Sequence, residues 1–244
     1  MKAMILAAGR GERMRPLTDH APKPLLPVGG KPLIVWHIER LAAAGFNEIV
    51  INHAHLGYML EEALGNGHMW DVNIRYSPEG EALETAGGIA KALSLLGPAP
   101  FLVVNGDVWC DIDFARFAAR GIVGITKGAH VHLAMIDNPP HHPEGDFNFM
   151  PPVVPSSIGQ LSAQPSTLPG TRLTFSGIGV YRSEFFNGIT PGEKAKLAPL
   201  LQAAIAGKHA TAEHFTGRWI DVGTPARLAE LDAQLKAPTA ALPR

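Results

Sequence analysis

The feature that most constrains the fold is the alternation of short apolar runs with segments of helical periodicity. The apolar runs predict buried strands over residues 2–6, 48–51, 73–76 and 101–104. The segments between them predict helices: one opened by Pro32 and followed by Gly45, one over residues 56–64, and one capped by Thr85 and stopped by Gly97-Pro98. Strands that alternate with helices favour parallel pairing through right-handed crossovers. We therefore predict an α/β fold in which a Rossmann-like, mostly parallel sheet is flanked by helices in a single domain.

The second half of the chain is less regular. Apolar runs predict strands over residues 130–136 and 173–181, and helical periodicity predicts helices over residues 196–206 and 225–235. Residues 139–169 are rich in Pro, Ser and Gly, which predicts a loop region. We expect residues 1–236 to form the domain and residues 237–244 to form a flexible tail.

The composition excludes several classes of protein. Hydrophobic residues make up 46% of the 244 residues and charged residues 18%, which is too apolar for a disordered chain. The 21 basic and 22 acidic residues give a formal charge of −1, so no overall field favours a nucleic acid or an anionic membrane. No apolar run approaches the ~20 residues of a membrane helix, and the first residues lack the apolar core of a secretion signal. Cys110 is the single cysteine, which excludes an intramolecular disulfide and favours a cytoplasmic protein.

Residues 6–18 carry two glycines and three arginines directly after the first predicted strand. Gly9 and Gly11 allow backbone N–H groups to approach an anion, and arginine side chains bind phosphate. The segment lacks the dinucleotide fingerprint because Met14 stands where glycine is needed, and the chain contains no Gly-Lys-Ser/Thr sequence of a P-loop. This pattern predicts a polyphosphate site, with an ordinary glycine-rich turn and solvated arginines as the alternative.

Three further charged residues follow at informative positions. Prolines on both sides of Lys23 restrict its backbone, which suits a second phosphate contact as well as a stiff surface loop. Asp107 follows the fourth predicted strand, at the sheet edge where ligands bind in open α/β folds, and a carboxylate there suits Mg²⁺. Asp221 lies in a short apolar run and needs a partner, which a metal shared with Asp107 would provide. The alternatives are a turn-forming Asn-Gly-Asp sequence and an aspartate at a helix start.

Together these four motifs resemble those of the sugar-1-phosphate nucleotidylyltransferases. Residues 6–18 are similar to the first signature of that family, with Glu12 at its usual threonine and Met14 at its usual leucine. The segments around Lys23, Asp107 and Asp221 resemble the other three motifs, in the same order. The resemblance spans nearly the whole chain. It implies the nucleotide-diphospho-sugar transferase type of fold, with a nucleotide-binding half near residues 1–110 and a sugar-binding half near residues 111–236.

The resemblance also implies a reaction and residue roles. An oxygen of the sugar phosphate would attack the α-phosphorus of a nucleoside triphosphate in line and expel pyrophosphate. Arg13 corresponds to the catalytic arginine, Lys23 to the phosphate-binding lysine, and Asp107 and Asp221 to the two Mg²⁺ ligands. Beyond Arg13 and Lys23, the implied nucleotide contacts are Leu6, Ala7, Ala8, Gly9, Gly11, Glu79, Glu81, Thr85, Gly88 and Asn105. The implied sugar contacts are Asn105, Asp146 and Gly177.

The motifs constrain the identity of the base and of the sugar less than they constrain the type of reaction. Residues 79–88 lie where the family reads the base, and they resemble mannose-1-phosphate guanylyltransferases except that Glu84 stands at the usual glycine. Residues 77–85, 104–109, 137–147 and 174–178 resemble N-acetylmuramic acid 1-phosphate uridylyltransferases of peptidoglycan recycling. We therefore favour UTP and N-acetylmuramic acid 1-phosphate as substrates, with guanylyl transfer to mannose 1-phosphate as the alternative. Candidates for binding the lactyl carboxylate of that sugar are Arg172 and the pair His141-His142.

Two other function classes compete with nucleotidyl transfer. A glycosyltransferase with a similar sheet would hold its metal through Asp111-x-Asp113, although this pair also suits a helix N-cap. A sensor that only binds nucleotide sugars would have no physical need of Arg13 and Lys23 together with two metal-binding aspartates.

Overall fold

The computed structural model describes residues 1–152, 158–162 and 172–237. Its strands are β1 (Lys2–Leu6), β2 (Pro27–Val28), β3 (Lys31–Pro32), β4 (Glu48–His53), β5 (Asn73–Pro78), β6 (Phe101–Asn105), β7 (Val108–Cys110), β8 (Val131–Ile136), β9 (Phe147–Met150), β10 (Gly159–Ser162), β11 (Arg172–Tyr181), β12 (Ala210–His214) and β13 (Trp219–Asp221). Its α-helices are α1 (Leu33–Ala43), α2 (Gly57–Leu64), α3 (Glu84–Leu96), α4 (Phe114–Thr126), α5 (Leu197–Ala206) and α6 (Pro225–Lys236).

One mixed sheet runs through both halves of the chain in the order β5-β4-β1-β6-β11-β8-β12-β10-β9. β1 lies between β4 and β6 and is parallel to both, and β5 and β12 also pair in parallel with their neighbours β4 and β8. β11 and β10 run antiparallel to the strands beside them. The α/β class predicted from the sequence is therefore confirmed, as is parallel pairing of the strands in the first half, whereas the second half adds mostly antiparallel pairings.

Helices cover both faces of this sheet. Successive side chains of a strand point to opposite faces, so Ala3 and Ile5 of β1 pack in one hydrophobic cluster and Met4 packs in the other. The first cluster includes side chains of α1, α2 and α4, and the second includes side chains of α3 and α5. No helix in the described part of the chain is long and apolar enough to cross a membrane.

Two local expectations were wrong. Residues 139–169 were predicted to be a loop region, but β9 and β10 lie within it because Phe147, Phe149 and Leu161 alternate with more polar residues and bury their side chains against the sheet. Thr85 does not cap the third helix, since α3 begins one residue earlier with Leu83 at the N-cap and no side-chain cap. Residues 238–244 of the expected tail lie outside the described residues.

A small ribbon links the end of the chain to the end of β6. β13 pairs with β7 so that Asp221 lies opposite Val108, and the N–H of Val222 donates to the carbonyl of Asp107 at 2.9 Å. A third hydrophobic cluster, which joins Met14 to Val222 and to side chains of α6, lies beneath this ribbon. The C-terminal helix therefore packs under the glycine-rich loop that follows β1.

Candidate functional site

A cavity of about 510 Å³ opens where β1, β4 and β6 end. Leu6, the last residue of β1, pairs with Asn52 on one side and with Asn105 on the other, so three strand ends meet at one edge. Ligands of open α/β sheets bind at this edge. The residues predicted as site residues that line the cavity are Leu6, Ala7, Ala8, Gly9, Gly11, Arg13, Lys23, Glu79, Thr85, Asn105 and Asp107.

The glycine-rich loop (residues 7–16) forms one wall of this cavity. Gly11 has a left-handed φ of 68°, and a Cβ there would lie 3.0 Å from Thr18 and 3.2 Å from Lys23, so only glycine fits without strain. The carbonyl of Gly11 accepts hydrogen bonds from Met14 N at 2.8 Å and Thr18 Oγ1 at 2.8 Å. A Cβ at Gly9 would meet nothing within 4 Å, so the backbone there is open to a ligand.

The three arginines of this loop differ in their partners. Arg10 lies 3.7 Å from a carboxylate oxygen of Glu12, and Arg15 lies 3.2 Å from one of Asp19. Arg13 lines the cavity and makes no side-chain hydrogen bond or ion pair with any described residue. Its guanidinium is therefore the one in this loop that is available to an anion in the cavity.

Lys23 and Asp107 form an ion pair across the cavity. Lys23 Nζ lies 2.9 Å from Asp107 Oδ2, and Lys23 is only 6% exposed whereas the side chain of Asp107 is 44% exposed. A buried ammonium needs a carboxylate or phosphate partner, because the desolvated charge is costly when it is unpaired. Asp107 satisfies Lys23 here while its exposed side remains open to a further cationic ligand.

Asp221 lies close behind the wall that Gly223 forms. Arg227 Nη1 lies 2.8 Å from Asp221 Oδ2, and His141 Nε2 lies 3.3 Å from the same oxygen. A Cβ built on Gly223 would lie 2.5 Å from Arg227 Nη2 and 3.0 and 3.1 Å from the two carboxylate oxygens of Asp221. Gly223 lines the cavity, whereas Asp221 itself does not.

The donor set around Asp107 and Asp221 fits Mg²⁺. The β7–β13 ribbon brings the backbones of Asp107 and Asp221 next to each other, and each carboxylate already holds a positive group, Lys23 for Asp107 and Arg227 for Asp221. Within the described residues no three His, Cys, Asp or Glu side chains cluster as a closed metal cage. Mg²⁺ is typically bound by one or two carboxylates plus substrate phosphates rather than by such a cage.

Glu79 is buried at the other end of the cavity. Its Oε1 accepts from Asn52 Nδ2 at 2.6 Å and its Oε2 accepts from the N–H of Leu83 at 2.8 Å. Asn52 Oδ1 in turn accepts from the N–H of Ala7 at 2.9 Å, which ties the glycine-rich loop to this network. The sequence analysis missed Asn52, although it lies near the end of β4, opposite Leu6, just as Asn105 ends β6 opposite Leu6.

The remaining predicted residues do not line the cavity. Gly88 lies on α3 where a Cβ would collide with Glu79 Oε1, and Gly177, with φ of 81°, lies where a Cβ would be 2.5 Å from Asn105 Nδ2. Glu81 is exposed and pairs with Lys194 at 3.2 Å. Asp146 accepts from the N–H of Phe175 at 2.7 Å. Gly88 and Gly177 thus make room for cavity-lining side chains, whereas Glu81 and Asp146 are held by other partners.

The two aspartates of Asp111-x-Asp113 have structural partners. Asp113 is the N-cap of α4 and accepts from the N–H of Arg116 at 3.0 Å. Asp111 accepts from the N–H of Arg218 at 2.8 Å. Neither lines the cavity. Of the candidates for an anionic sugar, His141 contacts Asp221, whereas Arg172 donates to the carbonyl of Gly145 at 3.3 Å.

Two buried groups support the strand that follows Asp107. Burial lowers the pKa of His37 to about 4, and its Nε2 donates to the carbonyl of Val108 at 2.7 Å while its Nδ1 has no partner among the described residues. Burial also raises the pKa of the Cys110 thiol to about 11, so this thiol is protonated and unreactive at neutral pH. Both side chains therefore serve packing beside the cavity.

Comparisons with known proteins agree with this fold and site. A sequence model of the family described as "Nucleotidyl transferase" matches residues 2–237. The chain is 55% identical over 96% of its length to an N-acetylmuramate alpha-1-phosphate uridylyltransferase of Neisseria meningitidis serogroup B, of which it covers 97%. It is 32% identical over 92% of its length to a mannose-1-phosphate guanyltransferase of Schizosaccharomyces pombe, of which it covers 61%.

Two solved structures share the fold. One is a Bacillus anthracis protein described as a candidate glucose-1-phosphate thymidylyltransferase, in complex with sucrose. It superposes with a TM-score of 0.77 at 21% identity, and the match covers 99% of this chain and 98% of that protein. A UDP-glucose pyrophosphorylase without ligand superposes with a TM-score of 0.73 at 18% identity, and the match covers 96% of this chain and 97% of that protein. The resemblance found in the sequence is thereby confirmed, and the chain belongs to the nucleotidyl transferase family.

Proposed function

We propose that this protein joins UTP and N-acetylmuramic acid 1-phosphate to give UDP-N-acetylmuramic acid and pyrophosphate, as a step of peptidoglycan recycling. The observation that carries the choice of substrates is the 55% identity, over nearly the full length of both chains, to the Neisseria uridylyltransferase. The observation that carries the reaction class is the cavity in which the glycine-rich loop, Lys23 and Asp107 meet.

The charges in the cavity suit the union of two phosphate esters. Both substrates are anions, so the main barrier is their mutual repulsion and their orientation, and a protein lowers it by positioning and by fixed positive charge. Arg13, which has no partner among the described residues, and Lys23, whose partner is a single carboxylate, provide that charge. We assign Arg13 as the catalytic residue at the reacting phosphates and Lys23 as a phosphate-binding catalytic residue.

The proposed step needs little acid–base chemistry. A sugar phosphate is already ionised at pH 7, so its oxygen forms the new bond to the α-phosphorus while the bond from that phosphorus to the bridging β-oxygen breaks. The electron pair of the broken bond leaves with pyrophosphate, and no proton has to be removed first. Main-chain N–H groups of the glycine-rich loop would hold the triphosphate, and Glu79 and Thr85, which line the cavity, would lie beside the base.

Asp107 and Asp221 would hold Mg²⁺, which would supply positive charge to neutralise the phosphates. With Asp107 engaged by the metal, Lys23 would be available to contact phosphate. We assign Asn105 to the sugar side of the cavity, and Gly177, which does not line it, as the residue that leaves room for the Asn105 side chain. Asp146 and Glu81 stay expected contacts that would require a move from their present partners.

The remaining proposed properties follow from composition. The free, buried Cys110 fits a reducing cytoplasm, and the near-neutral net charge disfavours nucleic-acid and membrane partners. Structural roles for Asp111 and Asp113 disfavour a glycosyltransferase that would need them as metal ligands.

The experiment is a pyrophosphate-release assay with Mg²⁺ in which each of the four common nucleoside triphosphates is paired with four sugar phosphates. The sugars are N-acetylmuramic acid, N-acetylglucosamine, glucose and mannose 1-phosphates. We expect turnover with UTP and the muramic acid phosphate above all other pairs. Preference for GTP with mannose 1-phosphate would overturn the proposed substrates within the same family. Absence of pyrophosphate release with every pair would overturn nucleotidyl transfer itself.

A further inference from the structure

The cavity contains a carboxylate that has no role in the reaction described above. Glu84 is exposed and lines the cavity, and it makes no side-chain hydrogen bond or ion pair with any described residue. The other two glutamates of the same segment differ from it. Both oxygens of Glu79 already accept hydrogen bonds, and Glu81 pairs with Lys194 away from the cavity. Of the three, Glu84 alone offers the cavity a carboxylate with its acceptor capacity unused.

The backbone at Glu84 is also unusual. Its φ is 62°, the left-handed region that a side chain with a Cβ rarely adopts, at the first residue of α3. Glycine would occupy this conformation without strain. A strained, ligand-facing residue held by its surroundings is a common feature of binding sites. The strain therefore points to a side chain that is kept for its contact rather than for the stability of the helix.

The position of Glu84 separates it from the glycine-rich loop and from Asp107. In the sheet order β5-β4-β1-β6, Arg13 and Asp107 follow β1 and β6, whereas Glu84 enters the cavity with Ala82 and Thr85 after β5. A carboxylate beside the triphosphate would repel it, but a carboxylate beside the nucleoside can accept from an N–H group. Uracil and guanine carry a ring N–H on the Watson–Crick edge, whereas cytosine and adenine carry an acceptor nitrogen there.

We propose that Glu84 is a specificity-determining residue that accepts a hydrogen bond from the ring N–H of the base and so selects UTP against CTP. This inference rests on the proposed nucleotidyl transfer at this cavity. A carboxylate that faces the acceptor nitrogen of cytosine gains no hydrogen bond and is repelled. The preference for UTP therefore arises both from the hydrogen bond with uracil and from the repulsion by cytosine.

The test compares UTP, N3-methyl-UTP, 2′-deoxy-UTP and CTP as substrates of the full chain with Mg²⁺ and N-acetylmuramic acid 1-phosphate. A hydrogen bond to a charged acceptor predicts that wild-type kcat/KM is about tenfold or more higher for UTP than for N3-methyl-UTP and CTP. Glu84→Gly should bring UTP and N3-methyl-UTP to within about threefold of each other, and Glu84→Gln should raise the relative use of CTP because an amide can donate to its ring nitrogen. Glu62→Gln, an exposed change on α2, is the charge-matched control and should leave all ratios unchanged.

Folding of the variants is checked by thermal unfolding. Glu84→Gly should melt at or above the wild-type temperature because it relieves the left-handed strain, as should Lys208→Gly, an exposed position with φ of 59° outside the cavity. Wild-type binding of UTP and N3-methyl-UTP, measured by calorimetry, tests the same hydrogen bond without any variant, and equal affinities would overturn the proposal.

The remaining outcomes separate this proposal from the proposed function. If Glu84→Gly keeps the wild-type preference for UTP over N3-methyl-UTP, or instead removes the preference for UTP over 2′-deoxy-UTP, the assignment to the base N–H is wrong. If the wild type uses GTP in place of UTP, the proposed substrate is wrong. In that case loss of the GTP-over-ATP preference in Glu84→Gly supports the role of Glu84, and its persistence overturns that role.

Discussion

Gly88→Ala adds one methyl group where α3 passes the carboxylate of Glu79. The new Cβ collides with Glu79 Oε1 and lies 2.8 Å from Asn52 Nδ2. Because Glu79 is 8% exposed and holds hydrogen bonds to Asn52 and Leu83, its carboxylate must give up at least one of them to move. Such a hydrogen bond to a charged acceptor contributes about 1.5–3 kcal/mol, whereas alanine gains about 1 kcal/mol over glycine inside a helix. The free energy of unfolding should therefore fall by about 1 kcal/mol.

Thermal and urea unfolding test this magnitude. In a chain of this size a loss of 1 kcal/mol lowers Tm by about 2–4 °C. Ser94→Ala, at an exposed position of the same helix, is the control, since it has the gain in helix propensity without the collision. Because Asn52 also accepts the N–H of Ala7 in the glycine-rich loop, we expect KM for the nucleotide to rise in Gly88→Ala. A variant with a Tm at or above wild type and an unchanged KM would refute the reasoning, because the carboxylate would then move freely.

Three further predictions concern the charged groups. Asp107→Asn and Asp221→Asn should each abolish Mg²⁺-dependent pyrophosphate release while thermal unfolding stays cooperative, and near-normal turnover in either variant would remove that residue from the metal site. Arg13→Ala should lower kcat by about a hundredfold or more, whereas an unchanged kcat with a raised KM would show that Arg13 only binds substrate. His37 has its pKa lowered to about 4 in the folded chain, so the unfolded chain takes up a proton first as pH falls below about 6.5. The free energy of unfolding should therefore decrease from pH 6.5 toward pH 4, and His37 should account for about 3 kcal/mol of the decrease. Urea titrations should show that the free energy of unfolding depends less steeply on pH in His37→Gln than in wild type. An equal dependence in both proteins would contradict the lowered pKa of His37.

The strands of the first half were predictable because each is an apolar run bounded by polar residues. The strands extend further than predicted, however, since Asn52, His53 and Asn105 continue the ladders with polar side chains that the apolar pattern does not mark. β9 was not predicted, because it lies in a proline-rich stretch and its alternation of apolar and polar residues spans only four residues, Phe147–Met150. Hydrophobic periodicity therefore located the core of each element better than its ends.

The candidate site was predictable where chemistry is carried by local motifs. Arg13, Lys23 and Asp107 belong to such motifs and line the cavity. The network of Asn52 and Glu79 was not predictable, because it joins a residue of β4 to the residue that follows β5 and depends on the missing side chain at Gly88. Likewise the segment around Glu84 drew attention to base recognition, but only the hydrogen bonds of Glu79 and Glu81 leave Glu84 as the glutamate with a free carboxylate.

The ribbon of β7 and β13 has a consequence for the order in which the site is completed during synthesis. The glycine-rich loop, Lys23 and Asp107 all emerge from the ribosome before Asp221 and before the side chains of α6 that pack beneath Met14. A nascent chain that lacks those last elements has the glycine-rich loop without its supporting cluster and Asp107 without Asp221. The glycine-rich loop therefore gains its supporting hydrophobic cluster only when the C-terminal segment has docked.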